Sequence, residues 1–393
     1  MKIQMATAAF MTITLLGLAG CKSPGPDAAP TATATIPAPA RSTPAPTKTP
    51  GLSDFADEAV KARAQELLKV RTTAGFPSKE IKGPENGPAV LYLALTAQDK
   101  EVKVHALKAL GATYTSSSNS ETQAQADQTY ADAVLSFLNS ENETYQYYAL
   151  EAAKDCFKEN AFPAVKDKVL EMASSHPKPG GRYQAFDTLG YYGGRSDDPE
   201  AVKVYIEGFD DEPPVAFTAL RWVTSGFSSA TQAQEVRAAL LECLKKEDPA
   251  VRGQAIESLA KAASNDPEVF YQSAVDLTKD PSPYVRGKAL SALGYVKDQK
   301  VYAVVLPLLD DSAKTETKQT VTDLLGKTKT RNRTTFGQGR VDGMALKTLA
   351  KVASSVDRED KFELGKIGYK TKDEDLAREV KAAKAWLAEK GVQ

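Results

Sequence analysis

The sequence predicts an all-α fold, an α-solenoid of stacked helix pairs that follows a disordered N-terminal tether. The main observation is an apolar helical pattern that recurs every 32 to 43 residues, the scale of repeat architectures. An apolar residue returns four positions after each centre, one helical turn further along the same face. Paired helix-start signals in the clearer copies predict two antiparallel helices per repeat. The centres are Ala106, Ala149, Ala185, Ala219, Ala255, Ala289 and Val321.

Residues 1–20 predict a lipoprotein signal peptide. Their apolar run, residues 6–20, is too short to span a bilayer. It leads into Leu-Ala-Gly-Cys at 18–21, which resembles the lipobox of bacterial lipoproteins. The resemblance implies that Cys21 becomes the lipidated first residue of the mature chain, anchored by acyl chains such as palmitate. The alternative is an ordinary secretory signal with a chance cysteine.

Residues 21–52 predict a spacer between this anchor and the folded part. Eight prolines stand among alanine and threonine in residues 22–50, a composition that favours extended chain and buries no core. Lys22 resembles the residues compatible with outer-membrane sorting. We therefore expect a lipid-anchored protein of the bacterial cell envelope, at the outer membrane, facing either side.

An entry helix is expected ahead of the repeats, over residues 53–72, with a short partner over 87–97. Its predicted inward residues are Ala59, Ala62, Leu67 and Val70. Behind the repeats, a 4-3-4 apolar stripe predicts a C-terminal capping helix, carried by Leu376, Val380, Ala383 and Leu387. Residues 53–393 are thus expected to form about eight helix pairs and this terminal helix.

The clearest repeats begin at Asp248-Pro249 and Asp280-Pro281. Aspartate before proline favours a helix start, because the carboxylate accepts free N–H groups and the proline ring presets φ. Val-Arg follows each, at 251–252 and 285–286. These residues resemble HEAT repeats of the short bacterial type, and the resemblance covers roughly residues 86 to 330. It implies a binding surface built from stacked helix pairs.

The composition points to no particular chemistry. The formal net charge of −1 at 26% charged residues gives no general attraction for nucleic acid. The two histidines, His105 and His176, stand two repeats apart, and no zinc, phosphate-loop or nucleophile motif occurs. We expect no enzyme activity, no metal site, no cofactor and no nucleic-acid partner.

Two features stand out as candidate binding sites. The first is a long basic loop within residues 326–343, where such side chains suit phosphate or carboxylate groups, with a solvated insertion as the alternative. Its basic residues are Lys327, Lys329, Arg331, Arg333 and Arg340. The second is Tyr191-Tyr192, which follows a helix end and is expected to present its rings to a partner, with core packing as the alternative for the aromatic residues nearby.

The expected function is that of a membrane-anchored scaffold or adaptor which binds an unidentified protein in the cell envelope. The alternative is binding of an anionic glycan or lipid head group through the basic loop 327–340. The two differ in salt dependence, since polyanion binding weakens steeply as ionic strength rises.

Overall fold

The computed structural model describes residues 57–81, 86–113, 121–156, 162–191, 199–223, 230–335, 339–357, 359, 361–365 and 371–393. The predicted signal peptide and the whole predicted tether, residues 21–52 with Cys21, lie outside these ranges. The described helices are α1 (Glu58–Val70), α2 (Ser78–Ile81), α3 (Gly87–Thr96), α4 (Lys100–Thr113), α5 (Glu121–Leu138), α6 (Glu143–Cys156), α7 (Pro163–Ser175), α8 (Pro179–Tyr191), α9 (Pro199–Gly208), α10 (Pro213–Trp222), α11 (Ala230–Cys243), α12 (Pro249–Ala262), α13 (Glu268–Leu277), α14 (Pro283–Leu293), α15 (Lys300–Val305), α16 (Val341–Val356) and α17 (Asp373–Glu389). A 3₁₀ helix spans Leu306–Asp310, and two strands, β1 (Glu316–Thr322) and β2 (Thr328–Thr334), lie before α16.

The helices pair in sequence order to form an all-α solenoid. Each pair consists of a first and a second helix that pack against each other, from α3 with α4 to α15 with α16. Each second helix also packs against the second helix of the following pair. We call this continuous layer the second-helix layer; its members are α4, α6, α8, α10, α12, α14 and α16.

The first six predicted repeat centres are confirmed. Each is an alanine on a second helix with an exposed fraction of 0%, and its small side chain lets neighbouring helices approach closely. The residues four positions later are buried as well. These are Leu110, Ala153, Leu189, Val223, Leu259 and Leu293.

The seventh predicted centre was wrong. Val321 lies in β1, and the predicted basic loop 327–340 is in large part β2, its antiparallel partner in a two-stranded sheet. β-Branched threonine and valine recur along β1, and its side chains alternate between exposed and more buried, as in a strand with one covered face. The seventh repeat helix is instead α16, with Ala345 and Leu349 fully buried at the expected spacing of four.

We call β1, β2 and the turn between them the hairpin. The turn begins at Asp323, whose N–H donates to the Lys327 carbonyl over 3.1 Å. Gly326 has φ +70°, a conformation that glycine adopts without strain, so it closes a hairpin turn rather than a helix. The hairpin is therefore an insertion between the 3₁₀ helix and α16.

An arginine–aspartate ladder joins successive repeats. Arg252 of α12 donates Nε and Nη2 to the two carboxylate oxygens of Asp280, both over 2.9 Å. Arg182 binds Asp211 in the same two-point way, and Arg286 donates Nε to Asp311 Oδ2 over 2.7 Å. In all three pairs both side chains are largely buried. Each arginine on a second helix thus holds the segment that precedes the next second helix.

The two Asp-Pro signals have different outcomes. Asp248 caps α12 as predicted, since its side chain accepts from the N–H groups of Ala250 and Val251. At the second signal the predicted start at Pro281 was wrong, because α14 begins at Pro283. Asp280 is engaged by Arg252 of the previous repeat and accepts from the Ser282 N–H.

A helix lies at each end of the solenoid as predicted, but some of the residues that it buries differ from the prediction. On α1 the buried residues are Ala64 and Leu67, whereas Ala59 and Ala62 are exposed and Val70 is 40% exposed. The predicted stripe was therefore right only at Leu67, because the helix turns another face towards α3. On α17 the stripe is confirmed at Leu376, Ala383 and Leu387, which are buried.

His176 links the second helices α6 and α8. Its Nδ1 accepts from the Lys178 N–H over 3.1 Å, and its Nε2 lies 3.1 Å from Gln146 Oε1. When Nδ1 accepts in this way, the neutral ring carries its proton on Nε2; Nδ1 also lies 3.2 Å from the Lys178 carbonyl, to which a proton on Nδ1 would donate. Burial lowers the pKa of His176, and burial, reinforced by the positive charge of Arg71, lowers the pKa of His105.

The free energy of unfolding is expected to fall as the pH falls from about 7 to 5.5. The histidines of the unfolded chain take up protons near pH 6.5, whereas the folded protein, in which their pKa is lowered, takes up protons only at lower pH. Thermal unfolding measured across this range tests the prediction. The variant His176→Gln, which cannot titrate, is expected to show a weaker pH dependence. An unchanged pH dependence in this variant would show that His176 does not contribute.

Candidate functional site

The hairpin crosses the second-helix layer. β1 packs against α8, α10, α12 and α14, so that it spans four repeats. The side chains of Gln319 and Val321 point towards the helices and are buried, and the alternate residues are exposed. The Gln319 amide donates to the Pro213 carbonyl at the start of α10 over 3.1 Å. The hairpin therefore occupies the face that the stacked second helices would otherwise leave open.

Two glycines provide the space on which the hairpin rests. At its base, a Cβ on Gly287 of α14 would lie 2.9 Å from Thr315 Cγ2 and 3.0 Å from Thr335. Near its turn, a Cβ on Gly180 of α8 would lie 2.3 Å from the Thr322 carbonyl oxygen. Only glycine allows the backbone or side chains of the hairpin to approach these helices so closely.

Two arginines of β2 also pack against the second-helix layer, where their guanidinium groups lie over aromatic rings. The Arg333 guanidinium lies 4.1 Å from the centroid of the Phe217 ring on α10 and donates to Gln319 Oε1. The Arg331 guanidinium lies 5.9 Å from the centroid of the Tyr183 ring on α8. Cation–π attraction operates within about 6 Å of a ring centroid. These contacts fix β2 over the second turn of α8 and α10.

Three arginines lie close together on the β2 side of the hairpin, and we call them the arginine cluster. It consists of Arg331 and Arg333 with Arg221 of α10. None of the three contacts a carboxylate in the part of the chain that the structure describes. Burial of the Arg333 guanidinium lowers its pKa, and the charges of its two neighbours act in the same direction. The cluster is thus an uncompensated positive site beside aromatic residues.

The opposite side of the hairpin is acidic. There β1 and the turn border a cleft of about 790 Å³, whose other wall is formed by the amino-terminal ends of α6, α8 and α10. Its charged residues are Glu141, Glu143, Lys178, Glu212 and Asp323. Lys178 forms an ion pair with Glu143 over 2.5 Å, which leaves the lining with net negative charge. The cleft therefore does not suit an anion, and the hairpin separates it from the arginine cluster.

The structure disperses part of the predicted basic site. Arg340 precedes α16 and forms ion pairs of 2.7 Å with Asp342 and 2.9 Å with Asp373. Lys329 lies 3.5 Å from the Asp323 carboxylate, which is 6% exposed. These two cations are already neutralised by acidic neighbours, so they are not part of a common anion site.

The other predicted site residues have three different outcomes. Lys327 is exposed in the turn, while Arg331 and Arg333 come together over α8 and α10. Tyr191 is the last residue of α8; its side chain, with all of Tyr192 and Cys21, lies outside the described residues.

Sequence reasoning missed the residues on which the hairpin rests. The positions two residues before the repeat centres are aromatic in three successive repeats and glycine in the next two. They are Tyr147, Tyr183, Phe217, Gly253 and Gly287. This change from aromatic residues to glycine, at one position of successive second helices, was the signal in the sequence. It indicates that another segment of the chain covers this row of residues.

Replacing Gly180 with alanine is expected to lift the turn of the hairpin from α8. The added Cβ would meet backbone atoms, Thr322 O at 2.3 Å and Asp323 C at 2.8 Å, which cannot rotate away. Amide exchange in residues 319–330 is expected to become at least about tenfold faster, equivalent to roughly 1.4 kcal/mol of overpacking.

The matched control is Gly294→Ala, because the nearest side chain there is the flexible end of Lys351 at 3.2 Å. This variant should leave exchange in the hairpin unchanged. Equal exchange in wild type and Gly180→Ala would show that the turn is not seated on α8.

The described residues contain no group of three or more metal-ligating side chains that could hold an ion. Within the same ranges, no helix has both the length and the apolar character needed to cross a bilayer.

No known family model matches the sequence, and no curated protein matches it. Solved structures show its fold. Kap121p superposes with a TM-score of 0.50 at 14% sequence identity, over 84% of this chain and 37% of Kap121p. The karyopherin Kap121p bound to the extreme C-terminus of the protein phosphatase Cdc14p gives a TM-score of 0.50 at 15% identity, over 85% and 37% of the two chains.

This chain therefore spans a little over a third of the length of the proteins that it resembles. At such low identity the similarity shows the fold alone, a solenoid of HEAT-like helix pairs. It agrees with the resemblance found in the sequence.

Proposed function

We propose that this protein is a lipid-anchored helical-repeat scaffold that binds a partner protein in the bacterial cell envelope, at the face where the hairpin crosses α8 and α10. The observation that carries the proposal is the arginine cluster. Three guanidinium groups, none with a carboxylate partner among the described residues, lie together with aromatic rings on this face. Arginine and aromatic residues are enriched where proteins bind one another.

The surroundings of the cluster support a protein rather than a small ligand. The exposed face of the hairpin extends the surface across four repeats. At its turn stand the half-buried rings of Tyr147 and Tyr148, which pack edge to face at 5.1 Å. A solenoid of similar fold, Kap121p, binds the extreme C-terminus of another protein, which is consistent with recognition of a chain segment.

The membrane attachment in this proposal rests on the sequence. The lipobox at 18–21 supports lipidation of Cys21, and the proline-rich residues 22–50 support a spacer between the membrane and the solenoid. Lys22, the residue after the cysteine, supports the outer membrane as the location.

Site-specific photo-cross-linking in cells tests the proposal. A photoreactive phenylalanine analogue is placed at Asn332, which is exposed on β2, or at the control position Lys203, whose side chain is 67% exposed on the first helix α9. We expect one protein adduct of defined mass from position 332 and none from 203. The same adduct from both positions, or none from either, would overturn the scaffold proposal.

Lipid anchoring is tested in the same cells with Cys21→Ala. The adduct is expected to move from the membrane fraction to the soluble fraction, and its persistence on the membrane would refute the anchor.

Binding of an anionic glycan or lipid head group through residues 327–340 has less support from the geometry. Arg340 and Lys329 are neutralised by their own acidic neighbours, and the nearby cleft is acidic. In the cross-linking experiment, recovery of glycan or lipid without protein from position 332 would favour this alternative.

A further inference from the structure

Among the described residues, one backbone edge of β2 has no strand partner. The sheet has two strands, and all residues of β2 are exposed except Arg333, which is half-buried. Asp323 and Lys327 form a hydrogen-bonded pair at the turn, and such pairs alternate with non-hydrogen-bonded pairs along an antiparallel ladder. The N–H and C=O groups of Thr328, Thr330 and Asn332 therefore point away from β1.

The close side-chain contacts in the hairpin agree with this register. Thr320 and Thr330 lie opposite each other with their hydroxyl oxygens 3.0 Å apart, and Thr322 and Thr328 with theirs 2.9 Å apart. Opposed side chains approach more closely in non-hydrogen-bonded pairs. The outward groups of β2 form a row of donors and acceptors available to another strand.

The helices beneath the hairpin show where that other strand would lie. On α10, Pro213 lies under β1 and Phe217 lies under β2. Four residues of helix rise about 6 Å, close to the spacing of about 4.8 Å between strands. A third strand beside β2 would thus lie over the next helical turn, where Arg221 is exposed. The second-helix layer forms the floor of this position.

The side chains around the position of this third strand carry an excess of positive charge, which favours an acidic occupant. Its acidic residues are already paired, Asp187 with Lys154 at 4.0 Å and Glu257 with Lys288 at 2.5 Å and with Lys261. The three guanidinium groups of the arginine cluster contact no carboxylate among the described residues. Arginine binds carboxylates through paired hydrogen bonds that lysine does not reproduce.

We propose that an extended, acidic segment of the partner protein adds to the free edge of β2 as a third strand, over α8 and α10, with its carboxylates at the arginine cluster. Main-chain hydrogen bonds to β2 supply affinity, and the arginines select acidic side chains. This inference rests on the proposed function and names the chemistry of its partner.

A second copy of this chain does not fit the same position. Edge-to-edge pairing of two β2 strands would bring Lys329, Arg331 and Arg333 of both copies together. Like charges on neighbouring strands repel each other. Charge complementarity therefore selects an acidic strand.

Proline substitution isolates the role of the edge. Asn332→Pro removes an N–H that points away from β1, and proline is tolerated at such a position on an edge strand. Asn332→Ala is the matched control because it removes the side chain and keeps the N–H. The probe is a fluorescent eight-residue peptide of alternating glutamate and valine, with a lysine–valine peptide as its charge control.

Fluorescence anisotropy measures binding of the peptides to the full chain. We expect the dissociation constants of the glutamate–valine peptide for wild type and for Asn332→Ala to agree within about twofold. Asn332→Pro should bind this peptide at least about tenfold more weakly, because a hydrogen bond is lost and the proline ring obstructs the edge of β2. The double variant Arg221→Glu with Arg331→Glu is expected to lose this binding, and the lysine–valine peptide should not bind wild type. Circular dichroism confirms that each variant is folded.

Three results would overturn the inference: equal binding by Asn332→Pro and wild type, binding of the lysine–valine peptide, or no binding of the glutamate–valine peptide. The first would indicate attraction by charge alone. Failure of the inference is distinct from failure of the proposed function. If the photo-cross-linked protein adduct at another exposed position of the hairpin, Thr330, forms equally in Asn332→Pro, the scaffold stands and strand addition does not.

Discussion

Replacing Arg252 with methionine is expected to lower the free energy of unfolding by about 3–5 kcal/mol, the range found when one partner of a buried ion pair is removed. Arg252 is 14% exposed and Asp280 is 6% exposed, so the remaining carboxylate would stay in a poorly solvated site. The substitution also removes the donors to the Lys246 and Glu247 carbonyls, at 2.8 and 2.6 Å. One side chain therefore fixes both the turn before α12 and the turn before α14.

Urea unfolding followed by circular dichroism measures this loss. The matched control is Lys245→Met, which removes an ion pair with Glu242 whose side chains are 73% and 71% exposed. A pair in that environment contributes about 0–1 kcal/mol, so the control should unfold near wild type. Similar midpoints for Arg252→Met and the control would show that the ladder does not hold the repeats together.

Replacing Tyr302 with alanine is expected to destabilise the C-terminal end of the solenoid by about 3–5 kcal/mol, as for other large aromatic residues removed from a core. Tyr302 is 1% exposed, and its ring packs edge to face on Trp386 of α17 at 5.3 Å. Its hydroxyl donates to Asp357 Oδ2 over 2.5 Å, just after α16. The residue thus joins the last three α-helices, α15, α16 and α17.

Because each repeat of a solenoid contacts only its neighbours, the loss should stay local. Hydrogen exchange is expected to accelerate in α15, α16 and α17 and to remain unchanged in α4 and α6. The variant Tyr302→Phe keeps the packing and loses the hydrogen bond to a charged group, so it should cost about 1.5–3 kcal/mol. It should also let the pKa of Asp357 rise, because the Tyr302 hydroxyl lowers it. Uniform acceleration along the whole chain would contradict a local role.

The hairpin shows where sequence reasoning reached its limit. Val321 and Leu325 satisfy the helical spacing of four residues, and this agreement placed a seventh repeat helix there. Val321 instead belongs to the alternation of β1, in which Gln319 and Val321 are buried between exposed residues, and Leu325 lies in the turn that follows. Local pattern could not decide between the two, because the covering helices come from other repeats. The true seventh repeat at α16 follows the same pattern once the hairpin is set aside.

The sequence by itself determined the solenoid, because apolar residues at a fixed helical spacing specify each second helix from local information. The alanine centres, the cap at Asp248 and the terminal stripe on α17 are all of this kind. Only the tertiary structure decided the site. Gln319 meets Pro213 across 106 residues of sequence, and Arg331 and Arg333 acquire their partners only when β2 lies over α8 and α10. Charge is visible in a sequence, whereas the direction in which a charged side chain points depends on contacts between distant segments.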